Sequence, residues 1–158
     1  MSIWWSLHLR REAASVPLAR RLLVGAMETA GVDPETAYDL AVALSEACAN
    51  AVEHGGDSSS GYRVTARIDG DTCRIEVTDS GPGFTGHAPL RERRRTARRL
   101  ETRTPAPAHD EHGRGLFLIE SLTDNVHVRN RPGRQGAVVT FDKILKWRDD
   151  AALLRAAS

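Results

Sequence analysis

The chain has 158 residues, of which 41% are hydrophobic and 27% are charged. This length and balance are those of one folded domain, with no surplus for a second core. The formal net charge is only +1, so no global charge attracts nucleic acid or an anionic membrane. Two cysteines are too few for a disulfide scaffold and favour a reducing compartment. Since no apolar stretch reaches about 18 residues, we expect a soluble cytoplasmic protein.

Hydrophobic periodicity divides the first half of the chain into alternating and helical segments. Gly31 is placed to end a first helix, and Asp33-Pro34 is a strong start signal for a second. The polar residues 69–71 form a tight-turn signal between two alternating segments, which predicts a β-hairpin. The predicted elements are a strand at 3–9, a helix at 16–30, a helix from 34 to the glycines at 55–56, and strands at 62–68 and 73–77.

The second half begins with a long segment that has no core pattern. From 81 to 112 the chain has glycine-rich ends and a basic middle, and we call residues 84–112 the lid. The elements predicted after it are a helix at 114–122, a strand at 126–128, a turn at 131–136, a strand at 137–141 and a helical tail at 143–158. This order predicts a single domain over 1–158 with the α/β fold of a two-layer sandwich, a mixed sheet with helices on one face.

Three polar residues recur along the second helix. Glu46, Asn50 and His54 are spaced four apart and therefore share a helical face. Glu46 and Asn50 lie among small apolar residues, which indicates a cleft, although a solvated helix surface is the alternative. In a cleft the carboxylate can act as a base. The amide oxygen can help to hold Mg²⁺, whose other ligands are then waters and substrate phosphates.

Two glycine-rich turns flank the lid. Asp79-Ser80-Gly81-Pro82-Gly83-Phe84 directly follows a strand, and its glycines permit close approach to a ligand. An aspartate at the end of a buried strand needs a partner, for which an exocyclic amine is suitable. Residues 112–116, HGRGL, open a helix whose free N–H groups can bind phosphate. Each turn taken alone is also consistent with an ordinary connection.

In this combination and order, the motifs resemble the Bergerat ATP-binding fold. This is the fold of the GHKL superfamily, which comprises DNA gyrase, the ninety-kilodalton heat-shock chaperone, histidine kinases and MutL. The resemblance covers roughly residues 3–142 and is specific because several motifs match together. The matched positions are Glu46-x-x-x-Asn50, Asp79-x-Gly81-x-Gly83, Gly113-x-Gly115-Leu116 and Thr140, which corresponds to a threonine that the family places beside adenine.

Within that superfamily, SEACANAVEHG and the small size are most similar to the anti-sigma factor serine-protein kinases. The resemblance implies a stand-alone domain that uses ATP and Mg²⁺. It also implies a homodimer that binds a sigma factor and phosphorylates a serine of an anti-anti-sigma protein of the STAS type, with no direct contact to nucleic acid or membrane. Sensor kinases need a phosphoacceptor-histidine hairpin, for which residues 1–33 leave no room.

The resemblance also implies a role for each matched residue. Glu46 would be the general base, Asn50 would coordinate Mg²⁺, and His54 would reach toward the phosphates. Asp79 would accept a hydrogen bond from the adenine amino group. The residues that would shape the loops around the nucleotide are Gly81, Gly83, Phe84, Gly113, Arg114, Gly115 and Leu116.

Several alternatives stay open at this point. An ATP-binding regulatory module that sequesters its target without phosphate transfer would have the same pocket, and a conformational ATPase would activate water instead. Residues 90–103 of the lid contain seven arginines. One interpretation is that they are simply solvated. The alternative is that some of them, such as Arg93, Arg94 and Arg95, contact an acidic partner, the γ-phosphate or nucleic acid. His109 and His112 form a weak zinc pattern that lacks a third ligand.

Overall fold

The computed structural model describes residues 2–54, 61–79, 111–131 and 136–150, with side chains from residue 115 onward in the third of these segments. The lid therefore lies outside the described residues except for its last two positions. The elements are β1 (Ser2–Leu9), α1 (Ser15–Ala30), α2 (Pro34–His54), β2 (Tyr62–Asp69), β3 (Thr72–Thr78), α3 (Glu111–Leu122), β4 (Asn125–Asn130) and β5 (Ala137–Ile144). Each strand and helix predicted before residue 143 in the described part of the chain is present, with ends that differ by at most a few residues.

The connection between α1 and α2 is built as its sequence predicts. Gly31 has a φ of 86°, and its N–H bonds back to the carbonyl of Glu28, so it ends α1 in the left-handed conformation. The Oδ2 of Asp33 accepts a hydrogen bond from the Thr36 N–H at 3.2 Å, which caps the start of α2. Pro34 occupies the first helical position.

The five strands form one sheet in the order β1-β2-β3-β5-β4. Every pairing in this sheet is antiparallel, so the expectation of a mixed sheet was wrong. The reason is the position of β5. Strands β3 and β4 run in the same direction, but the β4–β5 hairpin folds β5 back between them, and no parallel neighbours are left in contact.

The helices cover one face of the sheet and enclose the core. Buried side chains alternate along β2 and β3, as expected for strands with one covered face. On β1, Trp4 is 65% exposed while Trp5 packs against the core, so the two neighbours lie on opposite faces of the strand. The largest fully buried side chains are those of Phe141, Leu23, Met27, Leu40, Leu44, Ile75 and Ile119.

The predicted helical tail at 143–158 is largely corrected by the structure. β5 continues to Ile144, and the next residues are extended: Leu145 is buried, Lys146 is exposed and Trp147 packs against the core. This alternation has the period of a strand. It points both Leu145 and Trp147 toward the core, whereas in a helix two residues at this spacing would point in different directions. Trp147 bridges Val32 and donates its Nε1–H to an Asp71 carboxylate oxygen at 2.8 Å. Helical structure begins only at 149, and residues 151–158 lie outside the described part.

No helix in the described ranges is long and apolar enough to cross a membrane.

Removal of the α2 cap is expected to destabilise the fold. An Asp33→Ala variant should lower the free energy of unfolding by about 1 kcal/mol, the usual contribution of an N-cap. Asp33→Asn keeps a capping oxygen and should remain close to wild type. Urea denaturation monitored by circular dichroism measures both, and equal loss in the two variants would contradict the assigned cap.

The two cysteines are expected to be inert in the folded protein. Both are fully buried, and burial raises the pKa of Cys48 and of Cys73 from 9.0 to about 12. Above pH 9.0 these thiols ionise in the unfolded chain but not in the folded one, so stability should decrease as pH rises toward about 12. At pH 8 dithionitrobenzoate should label them only as fast as the chain unfolds, and rapid labelling without denaturant would contradict this.

Candidate functional site

The carboxylate of Glu46 and the amide of Asn50 converge on the beginning of α3. A methyl group built on Gly115 would lie 3.3 Å from Glu46 Oε2, 3.3 Å from Asn50 Nδ2 and 3.4 Å from Asn50 Oδ1. Both side chains are half-buried. The fold therefore brings together Asn50 and Gly115, which are 65 residues apart in the chain. Because residue 115 is a glycine, the backbone of α3 faces Glu46 and Asn50 directly.

The burial pattern of α2 places these two polar residues at the edge of the helix layer. Leu40, Leu44 and Cys48 on one side of the helix are fully buried in the core. The alanines at 43 and 47 are also buried, and their small side chains allow a neighbouring helix to come close. Glu46 and Asn50 are left on the flank between this core stripe and solvent, where a ligand can reach them.

The far end of α3 is tied to both α2 and the sheet. The Lys143 ammonium on β5 donates a hydrogen bond to the carbonyl of Leu122, the last residue of α3, at 2.7 Å. It also lies 3.7 Å from an Asp39 carboxylate oxygen on α2. A cation at a helix C-terminus is favourable because the last carbonyls have no partner within the helix. With Ile119 fully buried at the middle of α3, this contact fixes the helix that carries Gly115.

Asp79 extends from the end of β3 and is held by the first residue of β5. Its N–H donates to the Ala137 carbonyl at 3.0 Å, and its Oδ1 accepts the Ala137 N–H at 3.2 Å. The alternation Ile75, Val77, Asp79 places the carboxylate on the face of the sheet that the helices cover. The carboxylate is thus oriented by the backbone at the end of the sheet, in a position to accept a hydrogen bond from a ligand amine.

Gly136, the last residue of the turn predicted at 131–136, allows this close approach. Its φ is 135°, and a Cβ at this position would collide with the Asp79 carbonyl oxygen and lie 2.6 Å from Arg131 Cδ. A side chain would therefore push the start of β5 away from Asp79. The available signal was a glycine directly before a strand, which often marks a close backbone contact.

Thr140 is not brought to Asp79 by the strand register, and its predicted place beside adenine stays a prediction. Thr140 is paired with Glu76 on one side and His127 on the other. Its side chain therefore lies on the sheet face opposite to the helices, whereas Asp79 lies on the covered face. The residue of β5 next to Asp79 is Ala137, three positions before Thr140. Side chains an odd number of positions apart on a strand lie on opposite faces of the sheet.

The remaining predicted residues have less defined positions. His54 is the last residue of α2, with its Nε2 3.5 Å from a Glu53 carboxylate oxygen. Leu116 packs partly against the core. Gly113 and Arg114 belong to the first turn of α3. The Arg114 side chain lies outside the described part of the chain, as do Gly81, Gly83, Phe84, His109 and the lid arginines.

The donor set fits the ATP and Mg²⁺ that the resemblance implies. Carboxylate and amide oxygens are the ligand type that Mg²⁺ prefers. The beginning of α3 lies directly beside them, and the first N–H groups of a helix, which have no partner within the helix, can bind phosphate oxygens. Asp79 would supply the acceptor for an adenine amino group. Glu46, Asn50 and the α3 N-terminus would hold the phosphate end, and Asp79 the base.

Filling the space at Gly115 is expected to weaken ATP binding without loss of the fold. In Gly115→Ala the new methyl group presses on Glu46 and Asn50, so the affinity for ATP with Mg²⁺ should decrease about tenfold, which corresponds to ~1.4 kcal/mol. Gly25→Ala is the matched control, since nothing lies within 4 Å of a Cβ there. Titration calorimetry measures both, and wild-type affinity of Gly115→Ala would contradict the close contact.

Comparison with known proteins agrees with this arrangement. Residues 9–143 match the family described as histidine kinase-like ATPase domain. The chain is 35% identical over 120 residues to the serine-protein kinase RsbW of Oceanobacillus iheyensis, which covers 75% of this chain and 73% of that protein. It is 34% identical over 139 residues to the anti-sigma F factor of Pasteuria penetrans, with coverage of 85% and 86%.

Solved structures with the same fold come from several kinds of protein. The structure of the RsbU and RsbW domains of a Mycobacterium tuberculosis protein has a TM-score of 0.63 at 22% identity, and the match covers 90% of this chain and 32% of that one. The SiaB–SiaC complex of Pseudomonas aeruginosa gives 0.55 at 11% identity, with 89% coverage of both chains. The catalytic domain of the histidine kinase ThkA gives 0.53 at 14% identity, with coverage of 92% and 99%. The chain belongs to the histidine kinase-like ATPase family, among the relatives of the serine-protein kinase RsbW and the anti-sigma F factor.

Proposed function

We propose that this protein is an ATP- and Mg²⁺-dependent serine-protein kinase that acts as an anti-sigma factor. It binds a sigma factor and phosphorylates a serine of a STAS-type anti-anti-sigma protein. This phosphorylation controls whether the anti-anti-sigma protein is bound to the kinase or released from it. The observation that carries the proposal is the convergence of Glu46 and Asn50 on the backbone at Gly115. The names of the relatives at 34–35% identity point to the same activity.

The chemistry follows from the residue types at this contact. Phosphoryl transfer requires positioning and neutralisation of charge more than covalent participation by the protein. The Glu46 carboxylate accepts the proton of the attacking serine hydroxyl, as a general base. The Asn50 amide oxygen would hold Mg²⁺, which would supply positive charge to neutralise the phosphates. The N–H groups at the start of α3 bind the phosphate oxygens, and the Asp79 carboxylate accepts a hydrogen bond from the adenine amino group.

The partners follow from the same proposal. A protein that sequesters a sigma factor works in the cytoplasm and controls transcription without contacting DNA itself. We propose a homodimer as the working form. Trp4, which is 65% exposed on β1, is a candidate contact for a partner because an exposed indole offers a large apolar surface.

A Glu46→Gln variant is expected to lose phosphate transfer while it keeps ATP binding. The amide retains the shape of the side chain but cannot accept the hydroxyl proton, so the rate should fall about 10²- to 10⁴-fold. The measurement is transfer of labelled phosphate from ATP with Mg²⁺ into a small protein in a lysate of the source organism.

Asp79→Asn is the control that separates binding from chemistry. It should weaken the binding of ATP itself, because an amide has only one acceptor oxygen, which the Ala137 N–H already uses, so a donor NH₂ group would face the adenine amine. If wild-type protein binds ATP and labels no protein, the kinase proposal fails and a regulatory module that only binds its target takes its place.

A further inference from the structure

Arg11 joins the connection between β1 and α1 to the C-terminal end of α2. Its Nε–H donates to the Val52 carbonyl at 2.8 Å, and its Nη2–H donates to the Glu53 carbonyl at 3.2 Å. These carbonyls belong to the last turn of α2, which ends at His54. The contact spans 41 residues of sequence, and the sequence analysis gave Arg11 no role.

The last turn of a helix has two physical weaknesses that this contact addresses. Its carbonyls have no N–H partner within the helix, and together they carry a partial negative charge of about half an elementary unit. A guanidinium group satisfies two adjacent carbonyls with two of its donors and places a full positive charge on the same spot. Arg11 therefore acts as a C-terminal cap for α2.

The segment that carries Arg11 is itself anchored in the core. The Ser15 N–H and hydroxyl both bond to the Glu12 carbonyl, at 3.0 and 2.7 Å. The Ser15 hydroxyl also pairs with the Tyr62 hydroxyl at 2.5 Å, and both of these side chains are buried. The arginine is thus presented to α2 from a rigid support, so little ordering is required when it makes the contact.

The capped turn begins directly after Asn50. In a regular helix the Asn50 carbonyl accepts the N–H of the residue four positions later, His54. Fraying of the last turn would break this bond and loosen the residue proposed to hold Mg²⁺. This loosening opposes the binding of a metal–triphosphate group.

We propose that Arg11 is a positioning residue of the nucleotide site, which holds Asn50 in place for Mg²⁺-bound phosphates by capping α2. The inference rests on the proposed function and adds a residue outside the family motifs to the site. The adenine end is held separately, by Asp79 and β5. Arg11 therefore affects the part of ATP affinity that depends on the metal and leaves the metal-free part unchanged.

The test compares Arg11→Ala with Arg10→Ala. Both variants remove one positive charge from neighbouring positions, but the Arg10 side chain is exposed and makes no hydrogen bond or ion pair with the described residues. Titration calorimetry gives the dissociation constant of ATP with Mg²⁺ and of ATP with EDTA. Arg11→Ala should weaken binding with Mg²⁺ about three- to tenfold, and binding in EDTA should not change. Arg10→Ala should match wild type in both.

Two further measurements separate positioning from general stabilisation. Hydrogen exchange of the amides of 51–54 in nucleotide-free protein should be faster in Arg11→Ala than in Arg10→Ala. An Arg11→Lys variant keeps the charge but not the paired geometry and should lose an intermediate part of the Mg²⁺-dependent affinity, which keeps the test decisive if Arg11→Ala does not fold. Loss of stability with unchanged affinities would mean that Arg11 supports the fold alone, and it would overturn the proposal.

The failure of the proposed function would look different. If wild-type protein binds no ATP, both proposals fall. If wild-type protein binds ATP with Mg²⁺ and Arg11→Ala binds it equally well, only the role of Arg11 falls.

Discussion

The close contact of the α3 backbone with the polar flank of α2 is the constraint on which the site depends. Gly115 leaves room for Glu46 and Asn50 to lie against the first turns of α3, so a carboxylate, an amide oxygen and the beginning of a helix meet at one point. None of these groups would be sufficient alone, because phosphoryl transfer depends on their relative placement. The rest of the helix layer, with its large residues buried against the sheet, keeps the two helices at this separation.

Both of these helices are also fixed at their C-terminal ends by basic side chains from other elements. Arg11 caps α2 from the β1–α1 connection, and Lys143 caps α3 from β5. Each cation satisfies carbonyls that a helix leaves unpaired and interacts favourably with the negative end of the helix dipole. The contacts that orient the two helices thus lie at the ends of the helices, outside the motifs that carry the chemistry, and they leave the polar flank between α2 and α3 accessible to a ligand.

The sheet has a complementary role, since its end defines the other half of the site. The Asp79 carboxylate is oriented by its hydrogen bond with the Ala137 N–H, and the missing side chain at Gly136 allows that approach. The antiparallel insertion of β5 between β3 and β4 therefore decides which residue of β5 meets Asp79. It brings the start of β5, rather than its middle, beside the aspartate, which is why Ala137 and not Thr140 is the neighbour of Asp79.

The sequence by itself determined the features that depend on local chemistry. Helical and strand periods, the Asp33 cap, the Gly31 stop and the spacing of Glu46 and Asn50 are all encoded within a few residues, and they predicted the elements, the layers and the ATP-binding motifs. Only the tertiary structure decided which strand lies beside which, which face Thr140 occupies and which distant arginine reaches α2. These depend on contacts across tens of residues, and no local period specifies them, since one residue of register reverses a strand's face.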